Sequence, residues 1–161
     1  MPHEVETIDL AGFAAIGIEV RTNNDREMEP RGAIAELWGK WVSEALAARI
    51  PSRADQNVVA VYTDYADDEH GDYTFFIGVK VASTDQTPDG MVTRTVPGGR
   101  YRIFSSDFGP LEAVVPEVWQ HIWGESDSGR LARNYLTDFE IYDERTVNPN
   151  DAQVDVYIGV N

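Results

Sequence analysis

The stretch Leu136-Thr137-Asp138-Phe139-Glu140-Ile141-Tyr142 alternates apolar and polar side chains, the pattern of a half-buried strand. Phe139 and Ile141 point one way; Asp138, Glu140 and Tyr142 point the other. A wet edge strand would satisfy that alternation. A carboxylate between a second carboxylate and a phenol would equally suit the wall of a ligand pocket. The rest of the chain decides between the two.

The bulk composition narrows the field first. At 161 residues the chain is expected to form one domain, and 42% hydrophobic residues suffice for a real core. There are no cysteines, which excludes disulfides, thiolate metal sites and a cysteine nucleophile. The formal net charge of −15 repels nucleic acid and anionic membrane, and favours neutral or cationic small molecules. The start, Met1-Pro2-His3-Glu4, has neither a basic nor an apolar leader region, and no apolar run is long enough to span a bilayer. A cytoplasmic protein is expected.

Outward from the opening stretch, the chain reads as two similar halves. Residues 8–20 are strand-like. Pro30 marks a helix start, and Ile34, Leu37, Trp38, Trp41, Val42, Ala45 and Leu46 form the stripe of an amphipathic helix stopping near Ile50-Pro51. Strands follow at 58–62 and 73–81, separated by the acidic turn 64–72. After a polar linker the pattern restarts: strand-like sequence at 92–105 broken by Pro97-Gly98-Gly99, a helix opened by Gly109-Pro110, and strands at 136–142 and 153–160. The second helix has the stripe Leu111, Val114, Val115, Val118, Trp119, Ile122 and Trp123, and Pro116 is expected to kink it or reset its start.

Three short matches tie the halves together. Glu36-Leu37-Trp38 aligns with Glu117-Val118-Trp119, Val58 to Tyr62 with Asp138 to Tyr142, and Phe76-Ile77-Gly78-Val79 with Tyr157-Ile158-Gly159-Val160. The expected architecture is α+β: duplicated β-α-β-β units with pseudo-twofold symmetry and an antiparallel sheet. A single domain over 1–161 is divided into repeat 1 at about 1–83, a linker at 84–90 and repeat 2 at about 91–161.

The pairing also assigns faces. Tyr73, Phe75, Ile77 and Val79 match Val154, Val156, Ile158 and Val160, a dry row expected to meet the helices together with Val59, Val61, Phe139 and Ile141. The other face then carries Tyr62, Phe76, Glu140, Tyr142, Asp155 and Tyr157, and is expected to form the ligand groove, away from the helices. Ala60 stands where Glu140 stands in the other half, so the repeat breaks its symmetry at that carboxylate.

The duplicated unit, Val96-Pro97-Gly98-Gly99-Arg100-Tyr101, Trp119-Gln120-His121-Ile122-Trp123 and Asp138-Phe139-Glu140-Ile141-Tyr142 together resemble the GyrI-like small-molecule-binding domain. The same module is the effector-binding domain of some AraC-type and MerR-type transcription regulators. The resemblance covers nearly the whole chain and implies an aromatic pocket whose central buried glutamate, Glu140 here, attracts lipophilic cations. It also implies an acid and a tyrosine on the last strand, matching Asp155 and Tyr157. Stand-alone members that hydrolyse cyclopropane-containing toxins with a glutamate supply an alternative. Regulators carry a helix-turn-helix for which these residues leave no room, so transcription control would need a separate partner.

Chemically, a glutamate walled by aromatics loses hydration and its pKa rises. An organic cation would restore charge balance and gain cation–π contact with Tyr62, Tyr142, Tyr157 and Tyr101, with Phe76 supplying apolar area. Asp155 is expected nearby, raising one of the two carboxyls further, and Asp138 nearer the rim. Tyr101 is equally readable as structural. Trp38, Trp41, Trp119 and Trp123 are expected in core packing, with one or two in reach of the groove.

His3, His70 and His121 are not spaced as metal ligands, the acidic turn reads as solvated, and neither a metal nor a cofactor is expected. The first functional expectation is therefore binding of hydrophobic or cationic small molecules for sensing or sequestration, without chemistry. The alternatives are a hydrolase of strained electrophilic natural products using Glu140, and a protein partner of DNA gyrase.

Overall fold

The computed structural model describes residues 2–29 and 32–161; Met1, Pro30 and Arg31, and with Pro30 the expected helix start, lie outside the described residues. The architecture is α+β, as expected. One antiparallel sheet contains β1 (His3–Leu10), β2 (Phe13–Thr22), β3 (Val58–Thr63), β4 (Tyr73–Val81), β5 (Val92–Val96), β6 (Gly99–Ser105), β7 (Arg133–Tyr142) and β8 (Asp155–Val160). Their spatial order is β1-β6-β8-β7-β3-β4-β2-β5.

That order forces the sheet to curl. β1 and β2 stand six strand spacings apart, about 29 Å on a flat sheet. Yet only Ala11 and Gly12 connect them, and three Cα steps reach at most about 11 Å. β5 and β6 face the same mismatch across Pro97 and Gly98. The ends of the sheet must therefore approach each other. The two connections meet there: a Cβ on Gly12 would lie 2.9 Å from the Gly98 amide nitrogen.

The inside of the curl is a core of its own. Val59, Val61, Phe76, Val96, Tyr101 and Phe139 are buried there, flanked by Phe13, Ile141 and Tyr157. Phe13 and Tyr101 meet the Phe139 ring edge-on, with centroids 5.7 and 5.4 Å away, and Tyr157 stacks on it at 4.6 Å. The outside carries the helices α2 (Ala33–Ser43) and α3 (Leu111–Asp127), packed on Phe75, Ile77 and Val79 and on Val154, Val156 and Ile158 respectively.

The face assignment of β3 and β7 is thereby corrected. Val59, Val61, Phe139 and Ile141 face the inside of the curl, and Tyr62, Glu140 and Tyr142 face the helices. Register shows why: Tyr62 stands opposite Phe75, and Glu140 opposite Val156, so each shares the face of a helix-packing residue. The second aromatic surface is the lining of a closed curl, and the groove lies on the helix side of the sheet.

Local details follow sequence chemistry. A short helix, α1 (Asn24–Glu27), follows β2; the Asn23 side chain caps it by accepting from the Arg26 amide. Glu27 then caps α2, its carboxylate accepting from the amides of Ala33 and Ile34, both at 3.0 Å. α2 ends at Ser43, earlier than the apolar stripe, because Ala45 takes a left-handed conformation before a 3₁₀ turn at Leu46–Arg49. α3 runs through Pro116 without resetting its start and ends before Gly129 at φ +81°. Among the described residues no helix is long and apolar enough to cross a membrane.

Where β2 crosses β4 the backbones touch at a glycine pair. A Cβ on Gly17 would fall 1.9 Å from the Ile77 carbonyl oxygen, an immovable ladder atom. Gly17→Ala should therefore cost about 2–3 kcal/mol, read as a lower urea midpoint at unchanged m-value.

Candidate functional site

Two carboxylates stand two residues apart on β7, both facing the helices and both buried: Asp138 is 0% and Glu140 1% exposed. Their surroundings differ. Glu140 accepts three hydrogen bonds from neutral donors: the Tyr62 hydroxyl at 2.9 Å, the Trp119 indole N–H at 2.6 Å and the Tyr142 hydroxyl at 2.8 Å. β3, α3 and β7 each supply one. Burial raises the Glu140 pKa above its usual value, and the three donors pull against that shift. The same burial and the Glu140 charge keep Tyr62 and Tyr142 protonated far beyond the usual phenol range.

Asp138 is instead paired with a cation. Arg133 Nη2 donates to its Oδ2 at 2.7 Å, the Tyr65 hydroxyl donates to the same oxygen at 2.5 Å, and the Gly159 amide donates to Oδ1 at 2.9 Å. An irregularity in β7 makes this possible. Arg133 stands opposite Val160 and Asp138 opposite Ile158, with Tyr135 between them at φ +54°. The bulged segment lets Arg133 fold back on its own strand, so Asp138 sits in a closed ion pair rather than at a rim. Burial opposes the Arg133 charge, but Asp138 holds its pKa above the usual range.

A cavity of about 660 Å³ lies beside these groups, walled by α1, the start of α2, α3 and the β3–β4 loop. Tyr62, Tyr65, Tyr73, Trp119 and Trp123 give it an aromatic wall, and Ile34, Val115 and Pro116 add apolar area. Asp25, Glu27, Glu69 and Asp127 line it too, and among the described residues Arg133 is the one guanidinium set against them. Glu140 itself lies behind Tyr62 and Trp119, whose rings are 4.9 Å apart. A ligand in this cavity meets two aromatic rings whose polar tips are both bonded to a buried carboxylate.

Of the residues singled out in the sequence, the structure brings Glu140, Tyr62 and Tyr142 together and leaves four elsewhere. Tyr142 packs edge-on against Trp38, 4.8 Å away. Phe76, Tyr101 and Tyr157 lie inside the curl, on the opposite face of the sheet; Tyr101 donates to the Pro97 carbonyl, and burial pushes its pKa up to about 12. Asp155 shares that opposite face. It accepts from Ser105 at 2.5 Å and pairs with Arg145 at 3.1 Å, so the raised Glu140 pKa owes nothing to it. Trp119 and Trp123 reach the cavity, while Trp41 is core.

Sequence reasoning missed Arg133, Tyr65 and Tyr73. Tyr65 had been absorbed into the acidic turn and Tyr73 into the dry row. That turn is less solvated than expected. Glu69 is largely buried and accepts from the Tyr135 hydroxyl, and its carbonyl accepts from Asn24 at 2.8 Å. Among the described residues no group of three or more His, Cys, Asp or Glu side chains is placed to hold a metal ion.

Comparison with known proteins places the fold. The putative transcriptional regulator protein YobU of Bacillus subtilis is 32% identical over 154 residues, covering 95% of this chain and 94% of its own. The transcriptional regulator BrlR of Pseudomonas aeruginosa is 26% identical over 156 residues, which are only 54% of its length. An integron cassette protein from the mobile metagenome of Vibrio cholerae superposes with a TM-score of 0.76 at 28% identity, covering 99% of both chains. SAV2435, solved with tetraphenylphosphonium bound, shares the fold with a TM-score of 0.80 at 14% identity, over 99% of this chain and 94% of its own. The family described as integron-associated effector binding protein matches residues 6–160, and this chain belongs to that GyrI-like family.

Proposed function

We propose that this protein binds lipophilic organic cations in the cavity beside α3, as a multidrug-type sensor or sequestering protein. The observation that carries the reading is the Tyr62–Trp119 wall backed by Glu140. A hydroxyl or indole N–H that donates to a carboxylate leaves its ring richer in electrons, and a cation over that ring gains accordingly. Among the described residues no cation is bonded to the ionised Glu140, and a ligand's charge would supply one. The cation seen in SAV2435 supports the ligand class. YobU, named as a putative regulator and covered over 94% of its length, supports a sensing role served by a separate DNA-binding partner. The strand order, symmetric about the central β3–β7 pair, supports reading residues 1–83 and 91–161 as one duplicated unit within a single domain.

Calorimetry with tetraphenylphosphonium should show saturable binding. Glu140→Gln should weaken it by about tenfold or more, as expected for losing one charge in a partly desolvated site. Neutral triphenylphosphine oxide should be indifferent to the substitution. Absence of binding, or equal affinity for wild type and variant, would remove the reading.

The pH dependence has a definite sign. Cation binding favours ionised Glu140, whose free-state pKa lies above 4.5. The Kd should therefore fall as pH rises through that raised value, and Glu140→Gln should lose that step. In the free protein the sign reverses. The unfolded chain ionises Glu140 at its ordinary value while the folded chain keeps the proton. This residue's contribution to stability is thus fully present below about 4.5 and lost as pH rises through the folded value. The difference in urea midpoints between wild type and Glu140→Gln isolates it.

A further inference from the structure

One part of the cavity wall does something the aromatic–acidic reading leaves unused. The Arg133 side chain is 1% exposed and lines the cavity. Its Nη2 is committed, donating to Asp138 at 2.7 Å and to the Tyr65 oxygen at 3.4 Å. Its Nε and Nη1 are buried with no hydrogen-bond acceptor among the described residues. Glu69 comes no closer than 4.0 Å to Nη1, and its carboxylate is taken by the Tyr135 hydroxyl. Buried guanidinium donors without acceptors are costly and rare.

The guanidinium is also held in place. It lies 4.4 Å from the Tyr135 ring centroid and 5.9 Å from those of Tyr65 and Trp119. The rings pack around it, and Nε and Nη1 remain its donors without an acceptor among the described residues. Trp119 stands between the guanidinium and Glu140, to which its indole donates at 2.6 Å. One ligand over Trp119 can therefore lie on the ring that Glu140 polarises while reaching towards the guanidinium. The carboxylates of Asp25, Glu27, Glu69 and Asp127 around the same cavity oppose an anionic group there, which leaves a neutral oxygen.

We propose that Arg133 is an acceptor-reading pole of the cavity, and that the ligands it selects are aromatic cations carrying a neutral carbonyl or ether oxygen, placed against Nε and Nη1. This rests on the binding reading above and adds a specificity rule to it.

The test compares two cations of matched shape, para-acetylphenyl-triphenylphosphonium and para-isopropylphenyl-triphenylphosphonium. Wild-type protein should bind the acetyl cation about tenfold tighter, the worth of one charge-assisted hydrogen bond. Arg133→Lys keeps a charge beside Asp138 but loses the fork. It should bring the two affinities within about twofold of each other. A measurement on wild type alone reads the same point: the Arg133 Nε–H resonance should shift with the acetyl cation and not with the isopropyl one. Equal wild-type affinities with an unmoved resonance would mean that the edge is met by water, and would overturn the proposal. So would an acetyl preference that survives Arg133→Lys. If the isopropyl cation binds and depends on Glu140 but the acetyl group adds nothing, only the Arg133 assignment falls. If neither cation binds, the binding reading falls with it.

Discussion

The pairing of β3 with β7 in the middle of the sheet fixes where every functional group stands. Ala60 is opposite Glu140 and Tyr62 opposite Asp138. A slip of one residue would turn Glu140 into the inside of the curl, against Phe139's neighbours, and turn Phe139 towards the helices. Two features oppose that slip. Phe139 is gripped by Phe13, Tyr101 and Tyr157, and the small Ala60 side chain leaves the space in which Glu140 reaches Tyr62 and Trp119. The apolar curl and the polar cluster thus specify the same register from opposite faces.

That register puts two acids side by side in an interior poor in water, and the chain treats them differently. Asp138 receives a guanidinium, a phenol and a backbone amide, a closed set that neutralises its charge. Its role is architectural: it ties the bulged start of β7 to β8 and to the β3–β4 loop through Tyr65. Glu140 receives three donors, none of them charged. Its lone pairs are served but its charge is not balanced, and burial raises its pKa for that reason. The difference between a structural acid and a candidate binding acid is a nearby cation, present for one and missing for the other.

Much of this was legible in the sequence. Two helical stripes, the strand alternation and the mismatch of Ala60 with Glu140 led to the α+β sheet and to an odd carboxylate among aromatics. The side of the sheet was not legible. β4 offers aromatic residues on both faces, Phe75 and Phe76, and the nine-residue turn 64–72 does not fix the parity of the hairpin. Only the ladder shows that Tyr62 pairs with Phe75. The curl was hidden for a related reason. It follows from two-residue connections between strands at opposite ends of the sheet, and the order of strands is not written in any local pattern. Arg133 escaped because a bulge erases alternation: Arg133-Asn134-Tyr135 reads as a loop until Tyr135 is seen in the left-handed region.

Placing Glu140 behind the rings rather than in the cavity has a chemical consequence. A carboxylate in direct contact would demand that each ligand present its charge at one point, with a fixed donor geometry. Under the proposed binding, a carboxylate set behind Tyr62 and Trp119 would act through their polarised faces, which would admit cations of many shapes over a broad area. Selectivity by shape would then be weak, and polar groups on the cavity wall would have to supply the discrimination. Among the described residues, Arg133 is a charged group of that wall whose Nε and Nη1 have no hydrogen-bond acceptor, and the Tyr135 ring packs against its guanidinium. On these proposals, breadth from the rings and choice from one guanidinium edge would be separable properties, because each would arise from a different part of the wall around Trp119.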